Sequence, residues 1–207
     1  MSTSKQARQS RQFLYSLFIA LAFAGGIGLA FGLQQWRSAE NVPDSGVSAY
    51  GGDFTLETVN GSAGLSDYQG KLVMIYFGFA SCPDVCPTSL GIMKKAYNTL
   101  TQNEQNKVSG LFISIDPKRD TPEIAQNYAR HFQPGFDGMS GTPEGITKVA
   151  QQYGVLFREM ETPGSAMGYT LDHSSVIYLV DQQGVLQEKI QHGVTPKELT
   201  EKLRQYL

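Results

Sequence analysis

The chain has 207 residues, 17 Lys and Arg against 19 Asp and Glu, a formal charge of −2, and 41% hydrophobic content. This balance excludes a basic nucleic-acid binder, an acidic solvating tail and a disordered polymer, leaving enough apolar material for one packed domain plus an appendage. Two cysteines in a chain this long exclude a disulfide scaffold, so function must reside in a local site.

Residues 1–12 carry Lys5, Arg8 and Arg11 and read as a cytoplasmic N-terminus. Phe13 to Leu33 is a run without a charge. As a helix it spans roughly 31 Å, about the thickness of a bilayer core. Trp36 follows at an interfacial position, and then come Arg37, Glu40 and Asp44. The basic bias places the N-terminus inside and the rest of the chain outside the cytoplasm. Ala20-Leu21-Ala22 and Ala22-Phe23-Ala24 resemble signal-peptide cleavage sites, but the apolar run continues past both, which favours a retained single-pass anchor. Gly28 and Gly32 have the spacing of a weak anchor–anchor homodimer contact. The short segment before the anchor favours a bacterial inner membrane, with the globular part in the periplasm, over a mitochondrial one. Residues 34–50 are polar, with Pro43, Asp44 and Gly46, and read as a linker.

From residue 51 to 207, strand and helix patterns alternate. Phe54 to Val59 predicts a strand turning at Asn60-Gly61. Leu72 to Phe79 and Val108 to Ile115 are near-continuous apolar runs, as for strands buried on both faces. Between them the cysteines open a helix through about Leu100. A helix over Pro122 to Phe132 is capped by Asp120 or Thr121, and Thr142-Pro143 opens another that ends near Tyr153. Val176 to Val180 and Val185 to Ile190 flank a Gln182-Gln183-Gly184 turn and predict a hairpin. Thr195-Pro196 starts a last amphipathic helix with Leu199, Leu203 and Leu207 on one face. A βαβ core followed by a hairpin and a C-terminal helix is the thioredoxin-like plan: α/β, a central mixed sheet flanked by helices.

Cys82-Pro83-Asp84-Val85-Cys86-Pro87 lies between a buried strand and a helix start. The helix N-terminus favours thiolate over thiol. If the segment is helical, both sulfurs share a face. Three chemistries fit: a structural disulfide, weakened by the short loop; a dithiol redox pair, whose usual signature is CxxC; and a soft-metal site for copper or zinc. His173, in Asp172-His173-Ser174 just before the Val176 strand, is the candidate third ligand, because in this plan that loop lies beside the cysteine loop. His131 and His192 read as surface residues. Two thiolates and one imidazole suit copper. Structural zinc would want a fourth ligand, for which Asp172 or Asp84 is a candidate. Met139, Met160 and Met167 are further soft donors that packing explains more simply.

Cys82-Pro83-Asp84-Val85-Cys86-Pro87, the run Asp116-Pro117-Lys118-Arg119-Asp120-Thr121-Pro122 and the late Asp172-His173 together resemble the Sco/SenC family, over roughly residues 50 to 207 and including the N-terminal anchor. The resemblance implies Cu(I) or Cu(II) held by Cys82, Cys86 and His173. It also implies a part in assembling the CuA centre of cytochrome c oxidase, by delivering copper to the copper-bearing subunit or by reducing its cysteines. A membrane-tethered thiol–disulfide oxidoreductase is the alternative, and a thiol peroxidase a third reading. Lys118 and Arg119 are candidates to contact an acidic partner.

Overall fold

The computed structural model describes residues 50–165 and 167–207. The anchor over 13–33, its Gly28/Gly32 pair and nearly all of the 34–50 linker lie outside the described residues. Among those described, no helix is long and apolar enough to cross a membrane.

The central strand β3 (Leu72–Gly78) and its neighbour β4 (Val108–Ser114) are buried at every position. That is why both read as near-continuous apolar runs rather than alternating ones. They pair in parallel, and on its other side β3 pairs antiparallel with β8 (Val176–Val180), equally buried. β5 (Phe136–Met139) extends the parallel edge and β9 (Leu186–Gln191) the antiparallel one, giving a mixed sheet of order β5-β4-β3-β8-β9. A separate hairpin, β1 (Thr55–Thr58) with β2 (Gly61–Gly64), precedes it. A second separate ribbon pairs β6 (Phe157–Glu161) with β7 (Tyr169–His173).

The crossover from β3 to β4 contains α1 (Val85–Thr99) and the short α2 (Gln102–Gln105), and that from β4 to β5 contains α3 (Pro122–Phe132). Consecutive parallel crossovers of one hand put α1 and α3 on the same face. Phe112 and Tyr128 mark this face, with ring centroids 5.0 Å apart. The opposite face receives α4 (Pro143–Tyr153), whose Tyr153 packs on Phe77 and Tyr178. The C-terminal α5 (Pro196–Gln205) lies against α1, with Thr200 Oγ1 donating to the Ala96 carbonyl at 3.4 Å. This is the thioredoxin-like arrangement of a mixed sheet between helices.

Three helices start alike. Thr121-Pro122, Thr142-Pro143 and Thr195-Pro196 place threonine at the N-cap and proline in the first turn. Proline disfavours the helical region for the residue before it and presets its own φ, while the threonine hydroxyl accepts the N–H three residues on. The cap of α3 is therefore Thr121 (φ −66°, ψ 165°), accepting from Ile124, and not Asp120. Asp120 is turned inward, as described below.

Candidate metal centre

Cys86 lies in the first turn of α1, fully buried beneath β3. Glycine at 78 is what lets it sit there: a Cβ at that position would come 2.8 Å from Cys86 Sγ. Cys82 lies in the turn before the helix rather than on it, half-buried, and its sulfur accepts the Cys86 N–H at 3.5 Å. The two sulfurs face each other because the Cys82 sulfur turns back onto a first-turn N–H of the helix, whose N-cap is Asp84, not because both stand on one helical face. Both are free thiols.

His173 ends β7 on the ribbon and approaches from the other side. Its Nε2 lies 3.5 Å from Cys86 Sγ. The ligand atoms of Cys82, Cys86 and His173 all lie within 4.8 Å of one another. Nδ1 is 3.0 Å from the Ser174 carbonyl, a bond that the Nδ1–H tautomer donates, leaving the Nε2 lone pair toward the sulfurs. That orientation, with the distal ring nitrogen tied to a carbonyl, is the usual support of a metal-ligating imidazole. The rings of Tyr76 and Phe79 meet the imidazole edge-on at centroid distances of 6.4 and 5.9 Å.

The Cys86 thiol donates toward Cys82 and thereby holds the Cys82 thiol well below the ordinary thiol range, with the Cys86 and Asp84 N–H groups adding to the effect. The Cys82 sulfur and burial push the Cys86 thiol up. The two shifts run in opposite directions, so Cys82 is the sulfur that ionises first and Cys86 the one that keeps its proton longer. Nearby, the phenol of Tyr76 meets Ser175 Oγ at 3.0 Å, and burial raises its pKa.

No carboxylate joins the three ligand atoms among the described residues. Asp172, a sequence candidate for a fourth ligand, is exposed and faces Arg158 at 3.4 Å. Met160 and Met167 are exposed on the ribbon and its turn, and Met139 is buried in β5. His131 is exposed in the last turn of α3, and His192 is exposed with Nδ1 3.3 Å from Ser89 Oγ. Lys118 and Arg119, candidates from sequence to contact an acidic partner, also pair within the chain: Lys118 with Glu159 at 2.6 Å and Arg119 with Asp116. The chemistry of the donor set fits copper: two soft sulfurs and an imidazole, without the fourth ligand of structural zinc.

A thioredoxin-like domain that brings two unpaired cysteines and one oriented histidine to a single point defines a class of soft-metal or thiol-redox proteins. Comparison with known proteins narrows it: the SCO1/SenC family matches residues 42–207, and the chain belongs to that family. The SCO2-like protein of Rickettsia felis is 36% identical over 195 residues, covering 91% of this chain and 95% of that one. The human mitochondrial SCO1 homolog is 35% identical over 178 residues, 80% of this chain and 58% of that protein. Among solved structures, copper-bound ScoI of Bradyrhizobium japonicum is 38% identical with a TM-score of 0.68, covering 77% of this chain and 100% of that one. Apo Sco1 of Thermus thermophilus is 37% identical with a TM-score of 0.70, covering 76% and 92%.

Proposed function

We propose that this chain is a copper chaperone that carries Cu(I) or Cu(II) on Cys82, Cys86 and His173 and passes it to the copper-bearing subunit of cytochrome c oxidase. The observation that carries the reading is the convergence of the three ligand atoms within 4.8 Å, with the histidine already oriented for coordination. Copper-bound relatives from Bradyrhizobium japonicum, Arabidopsis thaliana and yeast support the choice of metal. Copper is cargo here. Thiolates hold it tightly, and a partner with competing soft ligands takes it by exchange from the half-buried Cys82 side. The organisation completes the reading: residues 1–12 in the cytoplasm, 13–33 as a single-pass anchor, 34–50 as a tether and 51–207 as the carrier domain. The N-terminal charge bias supports an orientation with that domain outside the cytoplasm, which in a bacterial inner membrane is the periplasm.

The test is copper binding by the reduced full-length protein in detergent, beside Cys82→Ala, Cys86→Ala and His173→Ala. One Cu(II) per wild-type chain after exhaustive dialysis, with thiolate-to-Cu(II) charge-transfer absorption, and loss or strong weakening of Cu(II) binding in each variant, is expected. A reduced wild type that retains no copper overturns the reading. Oxidation to a Cys82–Cys86 disulfide removes both thiolates and must abolish binding.

The asymmetry of the two cysteines favours one second reading, a thiol–disulfide reductase. The half-buried Cys82 thiolate attacks a partner disulfide, and the fully buried Cys86 then resolves the mixed disulfide. The partner leaves as a dithiol and Cys82–Cys86 as a disulfide, which an external dithiol donor must reduce again. His173→Ala separates the two readings: it spares exchange with a disulfide substrate and ruins retention of Cu(II).

A further inference from the structure

The two sulfurs and the imidazole are held by different bodies. Cys82 and Cys86 belong to the sheet and α1, whereas His173 ends a two-stranded ribbon that is not hydrogen-bonded into the central sheet. Something must fix the distance between them, and the Asp116–Asp120 loop touches both. On the cysteine side, the buried Asp120 accepts the Ala80 N–H at 2.8 Å and the Ser114 hydroxyl at 2.6 Å, fixing the chain two residues before Cys82.

On the histidine side stands Arg119. Its Nε donates to Asp116, whose carboxylate is 2% exposed. Its Nη1 donates to the Tyr169 carbonyl at 2.9 Å and to that of Met167 at 3.4 Å, so it grips the start of β7 by its backbone. Its guanidinium stacks on the Tyr169 ring at 3.8 Å, and the Tyr169 hydroxyl returns to Asp116 at 2.7 Å. The guanidinium also lies 5.8 Å from the Phe79 ring, the same ring that meets His173 edge-on at 5.9 Å. A planar fork that pairs, stacks and holds backbone at once is an arginine geometry that lysine does not reproduce. Lys118–Glu159 adds a tie that is exposed on both sides and therefore weak.

We propose that Arg119 is a positioning residue for the third ligand: it clasps the β6–β7 ribbon to the sheet so that His173 Nε2 meets both sulfurs. The proposal rests on the copper reading and adds a selectivity to it. Cu(I) is satisfied by two thiolates, whereas Cu(II) needs the nitrogen donor. Loosening the clasp therefore weakens Cu(II) far more than Cu(I).

The test uses the reduced full-length protein in detergent and the variants Arg119→Gln, Tyr169→Phe, His173→Ala and the double Arg119→Gln/His173→Ala. Cu(II) and Cu(I) affinities are measured by competition with chelators, and the Cu(II) charge-transfer band is recorded. Arg119→Gln is expected to weaken Cu(II) by about 10–100-fold, the range for a residue that orients a ligand, and to move the band toward that of His173→Ala while Cu(I) affinity stays within a few-fold. Tyr169→Phe, which keeps the stacking and loses one bond, shifts both in the same direction by less. In the His173→Ala background Arg119→Gln adds no further loss of Cu(II), because it acts through that histidine. Equal losses for both oxidation states, or additivity with His173→Ala, overturn the proposal. So does a wild-type Cu(II) affinity and band in Arg119→Gln. A metal-independent arm separates this from failure of the copper reading: amide hydrogens of β6 and β7 exchange faster in Arg119→Gln while those of β3 and β4 do not. Wild-type protein without copper but with this exchange pattern sinks the copper reading alone, and unchanged ribbon exchange sinks the clasp.

Discussion

Gly78→Ala tests how Cys86 is held. The added methyl would sit 2.8 Å from Cys86 Sγ, 2.9 Å from Tyr76 Cε1 and 3.3 Å from Phe112 Cε2. Comfortable carbon contacts are roughly 3.5–4.0 Å, so the sulfur must move by about 0.7 Å or more. It has little room to do so, because Cys86, Tyr76 and Phe112 are all fully buried. Overpacking of this size costs about 1–3 kcal/mol. Removing a glycine from a strand interior returns about 0.5–1 kcal/mol. The balance is a net loss of up to about 2.5 kcal/mol, centred on about 1 kcal/mol, in urea denaturation of the reduced, metal-free protein. Copper affinity should fall as well, because the displaced atom is a ligand of the proposed site. Gly91→Ala is the control. Nothing lies within 4 Å of its Cβ position in α1. It should stabilise the helix by about 0.5–1 kcal/mol and leave copper binding alone. A Gly78→Ala protein with wild-type stability and wild-type copper affinity would refute close packing as the reason the sulfur sits where it does.

The depressed Cys82 thiol predicts selective alkylation. With iodoacetamide and peptide mapping, Cys82 should react and Cys86 should not, at a rate that stays flat from about pH 5 to about pH 8, because the thiolate is populated throughout instead of appearing near 8.5. Cys86→Ala removes the donor and should restore a rate that rises with pH; equal labelling of both wild-type cysteines would contradict the opposite shifts of the two thiols. Asp120→Ala leaves the Ala80 N–H and the Ser114 hydroxyl without an acceptor and should cost about 1–3 kcal/mol in the same urea assay, a loss that Asn recovers in part. Leu203→Ala, fully buried on α5, should cost about 2–5 kcal/mol. Leu156→Ala, 78% exposed beside the histidine ribbon, should stay within about 0.5 kcal/mol of wild type.

The sheet was readable from the sequence where both faces are covered. β3, β4 and β8 consist mostly of apolar residues, with Ser109 and Ser114 the buried polar exceptions in β4, because no position of theirs meets water. The Thr-Pro starts were readable because the same two residues dictate both the cap and the first-turn φ. β5 was not, since Phe136-Asp137-Gly138-Met139 is short and carries an aspartate and a glycine. Gly138 is needed where α3 passes so close that a Cβ would meet the Ala125 backbone. The ribbon was missed for the opposite reason: Phe157-Arg158-Glu159-Met160-Glu161 is half charged and largely exposed, and its partner strand is its own return arm. The Pro163-Gly164 pair between the two arms was the available turn signal.

The site itself divides along the same line. Cys82 and Cys86 were legible because a short motif sits at a strand–helix junction, and local geometry brings its ends together. His173 was legible as a candidate from its place in the fold. What orients it was not, because the Ser174 carbonyl is backbone and the residues that steady its strand are far away in sequence. Arg119 and Tyr169 are 50 positions apart. Adjacent Lys118 and Arg119 look alike in sequence, as two charges on a loop. In the fold one is an exposed half of a surface pair and the other is stacked, paired and mostly covered, with its carboxylate partner buried. Burial decides the difference: an exposed pair contributes little against solvent and salt, while a covered guanidinium must find acceptors and, in finding them, fixes whatever carries them. The strand it fixes is the one that ends in His173, so the coordination of the proposed copper site depends on a residue that the sequence offered only as a candidate contact for an acidic partner.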